Sequence, residues 1–444
     1  MELNMPPHRA IMMQVRKLRP SKRNARTHPK KQIRQVCNSI LKFGWTYPIL
    51  IDEDGNIICG HARRESAIEL GIKEVPVIIL SGLSDAEKRA LALADNKIPA
   101  NAGWNREILA AELGQLASLL PECNLTLEIT GFEPAEFDAL VADFGDSERD
   151  PVDEPAPLAP LPVSRKADFW LLGHHRLLCG DARDESNIRA LMGRDRAAMV
   201  FADPPYNVRV CPIVGRGKIK HREFALAAGE MSPDEFTKFL ESSLSLAAQY
   251  SRAGSIQFVC MDWRHLGEAL AAGKGVYSEL KNLVVWAKTN AGQGSFYRSQ
   301  HELILVFKNG DGPHQNNIEL GRHGRSRSNV WSYAGVNSFR AGRLDELAIH
   351  PTVKPVALVA DAMRDCSRRG DIILDPFMGS GTTILAAERV GRRGYGLEID
   401  PLYVDAAIRR WQDFTKRDAI LKATGQTFDE VAALRSSIKR GRKK

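Results

Sequence analysis

The second half of the chain alternates short apolar runs with segments of helical periodicity. Apolar runs of this kind, bounded by polar residues or glycines, are typical of strands that a sheet buries on both faces. They lie at 168–172, 176–179, 197–203, 255–260, 283–288, 303–308, 371–375 and 394–399, the first two being spaced as a hairpin. Strands that alternate with helices indicate a mostly parallel sheet with helices on both faces and a ligand site at the carboxyl ends of the strands.

The first part of the chain shows a different order of elements. It predicts a helix over 32–43, strands over 48–52 and 56–59, a helix over 61–70 and a strand over 75–80, with helices resuming over 85–95, over 105–120 and after 133. Short strands around one short helix indicate a small mixed α/β domain.

A segment of different amino-acid composition separates these two regions. Residues 145–164 are rich in proline and acidic side chains and have no apolar period, which is typical of a stiff, solvated linker. We therefore predict a first domain over 10–100, a helical extension over 101–144, the linker over 145–165, a second domain over 166–420, and a short helix with a basic tail over 426–444.

Composition narrows the class of protein. With 43% hydrophobic and 26% charged residues, the chain has the composition of a globular protein, and no run approaches the ~18 apolar residues that cross a membrane. The first residues lack the apolar core of a secretory signal, so we expect a cytoplasmic protein with no membrane partner. The seven cysteines are scattered and never spaced as CxxC, so we expect neither a disulfide framework nor a metal site. The net charge of +8 favours a polyanionic partner only weakly.

A glycine turn marks the first candidate site. The segment 371–399 has the pattern of a strand, a turn at Gly379-Ser380-Gly381, a helix and a second strand that ends at Glu398. Glycines let the backbone approach a ligand closely, and the helix start offers N–H groups to an anion. Glu398 lies where dinucleotide-binding folds place the acid that holds ribose hydroxyls. With Asp375 before the turn and no lysine in it, a nucleoside that carries a carboxylate, such as S-adenosylmethionine, fits better than ATP.

A proline-rich turn marks the second candidate site. The apolar strand at 197–202 runs directly into Asp203, Pro204, Pro205 and Tyr206. Two prolines remove N–H donors and stiffen the turn, which leaves carbonyls and the Asp203 carboxylate as fixed acceptors. Such acceptors suit an aromatic amine, whose lone pair becomes available for attack when its N–H groups donate to Asp203 and to the Pro204 carbonyl. Tyr206 is in place to stack on a base flipped out of a duplex.

The two turns together resemble those of the amino-group DNA methyltransferases of bacteria, in the permuted group in which DPPY precedes FxGxG. The resemblance covers about 168–414 and includes further matches at 178–181 and 350–355. It implies a Rossmann-like α/β fold, S-adenosylmethionine as cofactor and double-stranded DNA as substrate, and it leaves open a partner endonuclease. The cofactor-binding residues that it implies, together with the glycine turn, are Asp181, Lys354, Asp375, Phe377, Gly379, Ser380, Gly381, Thr382 and Glu398.

The segment around Gly60 resembles a second family, the ParB/sulfiredoxin-like domains, through a GxxRxxA motif at Gly60, Arg63 and Ala67. A glycine at a strand end, followed by a helix start with Arg63 and Arg64, forms a cradle suited to phosphate. The resemblance implies contact with a nucleotide or DNA at Gly60, Arg63 and Arg64, although the two arginines are equally suited to structural ion pairs. No clear helix-turn-helix follows before the linker, which argues against a chromosome-partition role.

The sequence therefore favours a site-specific methyltransferase that modifies the exocyclic amine of adenine in DNA. Asp rather than Ser at the first position of the DPPY turn resembles adenine methylases more than cytosine-amine methylases. Methylation of a cytosine amine or of RNA stays open, as does a nonenzymatic ParB-like DNA-binding regulator with a relic methyltransferase half. For DNA contact, the sequence offers two glycine- and arginine-rich segments, 208–223 and 315–343, and the aromatic pairs at 296–297 and 331–333. Ordinary surface loops are the alternative for the two segments, and core packing is favoured for at least half of the aromatics.

Overall fold

The chain folds into two compact units, 1–144 and 145–444, in a computed structural model. The structure describes residues 9–123, 125–133, 136–138, 140, 153, 158–208, 227, 229–288, 296–318, 320, 327–333 and 354–441. Within this described part, no helix is both long and apolar enough to cross a membrane. The same residues contain no cluster of three or more His, Cys, Asp or Glu side chains that could hold a metal ion.

Among its described residues, the first unit has a four-stranded sheet and the α-helices given below. The strands are β1 (Ile11–Gln14), β2 (Ile49–Ile51), β3 (Ile57–Cys59) and β4 (Glu74–Ile79), in the spatial order β1-β4-β2-β3. The helices are α1 (Lys30–Phe43), α2 (His61–Glu69), α3 (Asp85–Lys97) and α4 (Arg106–Leu119). Ile49, Ile51, Val75 and Val77 alternate with more exposed residues and form the core with Ala67 of α2. This confirms the predicted mixed α/β domain, to which the structure adds β1.

The second unit is built on a ten-stranded sheet. Its strands are β5 (Phe169–Leu172), β6 (His175–Cys179), β7 (Ala197–Ala202), β8 (Ser251–Met261), β9 (Glu279–Ala287), β10 (His301–Lys308), β11 (Val330–Ser332), β12 (Ile372–Asp375), β13 (Arg393–Glu398) and β14 (Ile420–Leu421). Their spatial order is β11-β9-β10-β8-β7-β12-β13-β6-β5-β14. The five central strands, from β8 to β6, are mutually parallel, whereas β10 is antiparallel to both β8 and β9.

Helices cover both faces of this sheet. They are α5 (Glu185–Met192), α6 (Pro233–Gln249), α7 (Leu266–Val276), α8 (Val356–Cys366), α9 (Thr382–Val390), α10 (Pro401–Thr415) and α11 (Phe428–Gly441). In β7, Met199 and Phe201 pack on the face shared with α8 to α11, while Val200 and Ala202 pack on the face shared with α5 to α7. Burial on both faces explains why this strand reads as a continuous apolar run.

The last helix shows how far the core extends. A reciprocal Thr427–Glu430 capping pair opens α11, as the sequence predicts: the Glu430 N–H donates to Thr427 Oγ1 at 3.3 Å and the Thr427 N–H donates to Glu430 Oε2 at 2.8 Å. Phe428 is fully buried, with its ring centroid 5.3 Å from that of Trp170 in β5. The helix that the sequence pattern sets apart therefore packs into the same core as the large sheet.

Candidate active site

The DPPY turn lies at the centre of the large sheet. Asp203 directly follows β7, which pairs in parallel with β8 on one side and β12 on the other. Asn207 leaves the turn with a left-handed φ of 51°, and its side-chain oxygen accepts from the N–H groups of Gly229 at 3.1 Å and Met231 at 3.2 Å. These contacts fix the exit of the turn, so the position of Asp203 is set at both ends by the sheet and by this loop.

A lysine distant in sequence binds the Asp203 carboxylate. Lys354 Nζ donates to both Asp203 oxygens, at 2.8 Å each, and its side chain is only 3% exposed. The Tyr206 hydroxyl lies 2.7 Å from Asp203 Oδ1 and 2.9 Å from Lys354 Nζ. About a quarter of the Asp203 side chain (24%) is exposed, which leaves it accessible to a substrate group.

Two further charged residues, which the sequence reasoning missed, complete the cluster. Glu302, the second residue of β10, lies with one carboxylate oxygen 2.9 Å from Lys354 Nζ and 3.1 Å from the Tyr206 hydroxyl. Its other oxygen accepts from Lys288 Nζ at 2.5 Å. A glutamate in the otherwise apolar run HELILVF is the signal that could have revealed it, because a lone charge in a buried strand needs a partner.

The cluster joins two lysines and two carboxyl groups, of which Lys354 and Glu302 are buried and Lys288 and Asp203 are partly exposed. Burial tends to raise the pKa of Glu302, but Lys354 and Lys288 outweigh this effect and lower it to about 2. Burial tends to lower the pKa of Lys354, yet Asp203 and Glu302 raise it above its usual value. For Asp203, burial raises the pKa and Lys354 opposes the rise. Glu302 and Lys354 are therefore charged at neutral pH.

The glycine turn joins β12 to α9, beside the DPPY turn. Gly379 and Gly381 have φ values of 53° and 89°, in the left-handed region that glycine tolerates. A Cβ on Gly381 would also lie 2.8 Å from Ala407 Cβ in α10, so only glycine allows this close approach. Arg410 of α10 donates to the Ser380 carbonyl at 2.8 Å and to its hydroxyl at 2.9 Å, which ties the turn to the helix behind it.

One buried and one partly buried carboxyl group, those of Asp375 and Glu398, flank the glycine turn. Asp375 accepts from the Thr383 hydroxyl at 2.5 Å and from the Phe377 N–H at 2.9 Å. Glu398 accepts from the Gly379 N–H and the Asp400 N–H, each at 2.8 Å. Burial raises the pKa of both carboxyls to about 7, against the lowering effect of these hydrogen bonds. Both groups are thus close to half-ionised at neutral pH before a ligand arrives.

The third predicted cofactor segment follows β6, which lies beside β13 in the sheet. Asp181 forms a salt bridge with Arg183 at 2.7 Å, and its carbonyl accepts from the Asn187 side chain at 3.1 Å. Because β12, β13 and β6 are neighbouring parallel strands, Asp181, Glu398 and the glycine turn lie along one edge of the sheet.

Lys354, for which the resemblance implies a cofactor contact, lies with its ammonium in the Asp203–Glu302 cluster, and its contact with the cofactor stays a prediction. The position is set by tertiary structure: Lys354 lies two residues before α8, which packs on the same face of the sheet as Met199 and Phe201 of β7. The preceding residues 351–353 of the HPTVKP segment lie outside the described part of the chain.

The candidate DNA-contact segments are described only in part. Residues 209–226 and 334–353 lie outside the described residues. Arg327 binds Asp361 at 2.8 Å and Asp365 at 3.0 Å, so this arginine ties its segment to α8. Trp331 is buried, as expected for part of the aromatic set, whereas Phe296 and Tyr297 are 86% and 83% exposed.

In the first unit, Gly60 begins α2 with a φ of 105°. Both neighbouring arginines bind within the unit: Arg63 Nη1 donates to the Pro48 carbonyl at 2.7 Å, and Arg64 contacts the Leu18 carbonyl at 3.2 Å and Glu65 at 2.7 Å. Of the two readings that the sequence left open for Arg64, the structural ion pair is therefore present.

Three protein families match the chain. The DNA methylase family matches residues 197–409, and the ParB N-terminal domain matches residues 4–97. A ParB-methyltransferase HTH domain matches residues 107–166, which corrects our expectation that no helix-turn-helix follows the first domain. The sequence pattern does not reveal this domain because the segment after α4 contains a short 3-10 helix, Leu127–Thr130, which lacks the α-helical period.

Two known proteins cover different parts of the chain. The ParB-like nuclease domain-containing protein YnaK of Escherichia coli (strain K12) is 51% identical over 75 residues, or 17% of this chain and 86% of the relative. The Type II methyltransferase M.HpaI of Haemophilus parainfluenzae is 25% identical over 253 residues, or 53% of this chain and 73% of the relative. Among solved structures, the cytosine-N4-specific PvuII DNA methyltransferase is 16% identical with a TM-score of 0.42, over 64% of this chain and 97% of that one.

A Rossmann-like sheet with these two turns at neighbouring strand ends defines an S-adenosylmethionine-dependent DNA methyltransferase. Residues 197–409 form a domain of the N6/N4 DNA methylase family, and a ParB N-terminal domain at residues 4–97 precedes it in the chain.

Proposed function

We propose that this enzyme methylates the exocyclic amine of adenine at a defined sequence in double-stranded DNA. The observation that carries the proposal is the Asp203 carboxylate, which lies at the end of a central strand, is partly exposed, and is held by Lys354 and Tyr206. An ionised carboxylate has about four acceptor positions, so Asp203 retains capacity for an amine N–H.

The residues around the glycine turn fit S-adenosylmethionine by their chemistry. Glu398 uses one lone pair per oxygen on the Gly379 and Asp400 N–H groups, which leaves acceptor positions for the two ribose hydroxyls. The start of α9 at Thr382 offers backbone N–H groups to a carboxylate. The bound cofactor supplies an electrophilic methyl group on a sulfonium centre. We propose that Asp181, Asp375, Phe377 and Ser380 line the same cleft.

The residues of the DPPY turn prepare the target amine for attack on the methyl group. One amine N–H donates to Asp203 and the other to the Pro204 carbonyl, which localises the nitrogen lone pair for attack. As the N–CH₃ bond forms, the S–CH₃ bond of the cofactor breaks and its electron pair stays on sulfur. The nitrogen then loses one proton, and burial raises the pKa of Asp203, which makes it a better acceptor. The Tyr206 ring, oriented by its hydroxyl contacts with Asp203 and Glu302, stacks on the flipped base.

The test is to express the enzyme and its Asp203→Ala variant in a methylation-free host, then sequence the DNA for modified bases and quantify the methylated nucleosides by mass spectrometry. N6-methyladenine at a recurring site, lost in Asp203→Ala, is the expected result. Asp195→Ala is the matched control, because Asp195 lies just before the opposite end of the same strand and pairs there with Arg176. N4-methylcytosine would overturn the adenine assignment, and unmodified DNA with undiminished cofactor binding would point to an RNA substrate.

For the first unit, we propose that Gly60, Arg63 and Arg64 contact a nucleotide or DNA. The proposal rests on the match to the ParB N-terminal domain and on the open αL turn at Gly60. Binding would require Arg63 to exchange its contact with the Pro48 carbonyl for a phosphate oxygen. Calorimetric titration of the enzyme and of Arg63→Ala with the four ribonucleoside triphosphates and with duplex DNA tests this, and equal binding by the two proteins contradicts it.

A further inference from the structure

Four charged side chains from four parts of the catalytic unit meet behind the DPPY turn. Lys354 Nζ lies 2.8 Å from Asp203 Oδ2 and 2.9 Å from Glu302 Oε2, so the two carboxylates share one ammonium group. Lys288 Nζ binds the second oxygen of Glu302. Lys288 directly follows β9 and Glu302 is the second residue of β10, and the Lys288 N–H donates to the carbonyl of Gln300, just before β10, at 2.9 Å.

Sharing the ammonium affects how basic Asp203 is. A carboxylate with an ammonium to itself is strongly stabilised in its ionised form, which lowers its pKa and weakens it as an acceptor for an amine proton. A second carboxylate on the same ammonium acts in the opposite direction, because its negative charge disfavours ionisation of the first. Glu302 has this effect on the pKa of Asp203, whereas Lys354 lowers that pKa.

We propose that Glu302 is a positioning residue for methyl transfer: by sharing Lys354 with Asp203, it keeps the Asp203 carboxylate basic enough to accept the hydrogen bond and then the proton of the target amine. Lys288 weakens this effect of Glu302 on Asp203, since its ammonium binds the other oxygen of Glu302 and partly neutralises that carboxylate. The inference rests on the proposed role of Asp203 toward the amine, and it holds whether the amine belongs to adenine or to cytosine.

The other groups that face Asp203 come from the elements packed around it. The ionisable ones are Lys354, Glu302, Tyr206 of the same turn, Cys260 of β8 and Asp375 of β12. Burial raises the pKa of the Tyr206 hydroxyl and of the Cys260 thiol well above their usual values, so both are neutral. Lys354 and the carboxyl groups of Glu302 and Asp375 therefore set the electrostatic environment of Asp203.

This arrangement predicts opposite effects for two substitutions of nearly unchanged shape. Glu302→Gln removes a negative charge near Asp203, so the acidic limb of the pH–rate profile for methyl transfer should move to lower pH by about one unit. The rate at the plateau of that profile should be at least about tenfold lower. Lys288→Gln leaves Glu302 with Lys354 alone and makes the cluster net negative, so the acidic limb should move to higher pH. Glu302→Asp keeps the charge and should return the limb toward the parent position.

The experiment is a single-turnover measurement of methyl transfer to a duplex substrate between pH 5 and 9, with cofactor and DNA at saturating concentration. Glu388→Gln is the matched control, because the pKa of Glu388 is also lowered to about 2, by His175 and Trp411 among others, in the last turn of α9 at the opposite edge of the sheet. We expect its acidic limb to be unchanged. Limbs that do not move in Glu302→Gln and Lys288→Gln, or that move in the same direction, overturn the proposal.

Two further measurements show whether a variant has lost activity because it is misfolded or because it no longer binds the cofactor. Thermal unfolding and calorimetric binding of S-adenosylmethionine are measured for every variant, and cofactor affinity should be within about twofold of the parent. Should Glu302→Gln not fold, the opposite shift of Lys288→Gln and the intermediate position of Glu302→Asp decide the matter. An inactive parent enzyme would refute the methyl-transfer assignment itself, whereas an active parent with unshifted variants refutes only the role of Glu302.

Discussion

Lys354 Nζ lies 2.8 Å from each carboxylate oxygen of Asp203, although 151 residues separate the two in the chain. The contact joins the turn after β7 to the segment that leads into α8 and places a buried ammonium directly beside the proposed amine acceptor. It also completes a cluster in which each charge has an opposite partner, which is the condition under which buried ions are tolerated.

The first prediction concerns the stability of this cluster. Lys354→Met removes one positive charge and leaves Asp203 and Glu302 facing each other, so we expect the free energy of unfolding to fall by about 3–5 kcal/mol. Equilibrium denaturation with urea measures the change. Lys281→Met is the control, since Lys281 forms an exposed pair with Glu279 whose loss should cost less than about 1 kcal/mol. An unfolding free energy equal to that of the parent would contradict the buried charge network.

The second prediction separates the ring of Tyr206 from its hydroxyl. Tyr206→Phe keeps the ring but removes the contacts with Asp203 and Glu302, so we expect methyl transfer to slow by about tenfold with DNA affinity unchanged. Tyr206→Ala removes the stacking surface as well. A fluorescent 2-aminopurine at the target position should brighten on binding to the parent and to Tyr206→Phe, and stay dim with Tyr206→Ala. Equal brightening with all three proteins would contradict base stacking by Tyr206.

The third prediction concerns pH and the cofactor. Glu398 has a pKa raised to about 7 by burial, so it is largely protonated below pH 6. Ribose hydroxyls donate more strongly to the ionised carboxylate, so cofactor binding should release a proton. The affinity for S-adenosylmethionine should therefore rise by up to about tenfold per pH unit below 7 and level off above it.

Calorimetry across this pH range in two buffers of different ionisation enthalpy measures both the affinity and the proton release. Glu398→Gln should bind more weakly at pH 8 and lose much of the pH dependence. The remainder is expected from Asp375, whose pKa is also raised to about 7 by burial. A pH dependence that is unaltered in Glu398→Gln would show that another group titrates.

The fourth prediction concerns DNA contact. Phe296 and Tyr297 pack edge to face with their centroids 4.4 Å apart, are almost fully exposed, and lie between β9 and β10. The carboxyl end of β9 lies at the catalytic edge of the sheet, where Lys288 reaches Glu302. Replacement of both aromatics by alanine should weaken DNA binding by about 1–3 kcal/mol per stacked base.

Fluorescence anisotropy with a labelled duplex measures this effect at a stated salt concentration. Leu280→Ala is the control, because Leu280 is an exposed apolar residue at the opposite end of β9. Cofactor affinity should be unchanged in both proteins. Equal DNA affinity of the aromatic variant and the parent would exclude this pair from the interface.

The sequence by itself determined both turns, the family resemblance and most elements of the two units. Asp203 to Tyr206 and Gly379 to Gly381 are recognisable because each chemistry depends on a few adjacent residues at the end of an apolar strand, and such local patterns survive without tertiary information. The strand pattern also predicted the parallel centre of the sheet, although it did not reveal the short edge strands β11 and β14.

The tertiary structure alone decided which charges meet. Lys288, Glu302 and Lys354 belong to three separate segments, and only the pairing of β10 with β8 and β9 and the packing of α8 bring them to Asp203. The same applies to Arg327, which sequence pattern offered to DNA and which the fold directs onto Asp361 and Asp365. A periodic pattern specifies which face of an element is buried, whereas the partner of a buried charge depends on how distant elements pack.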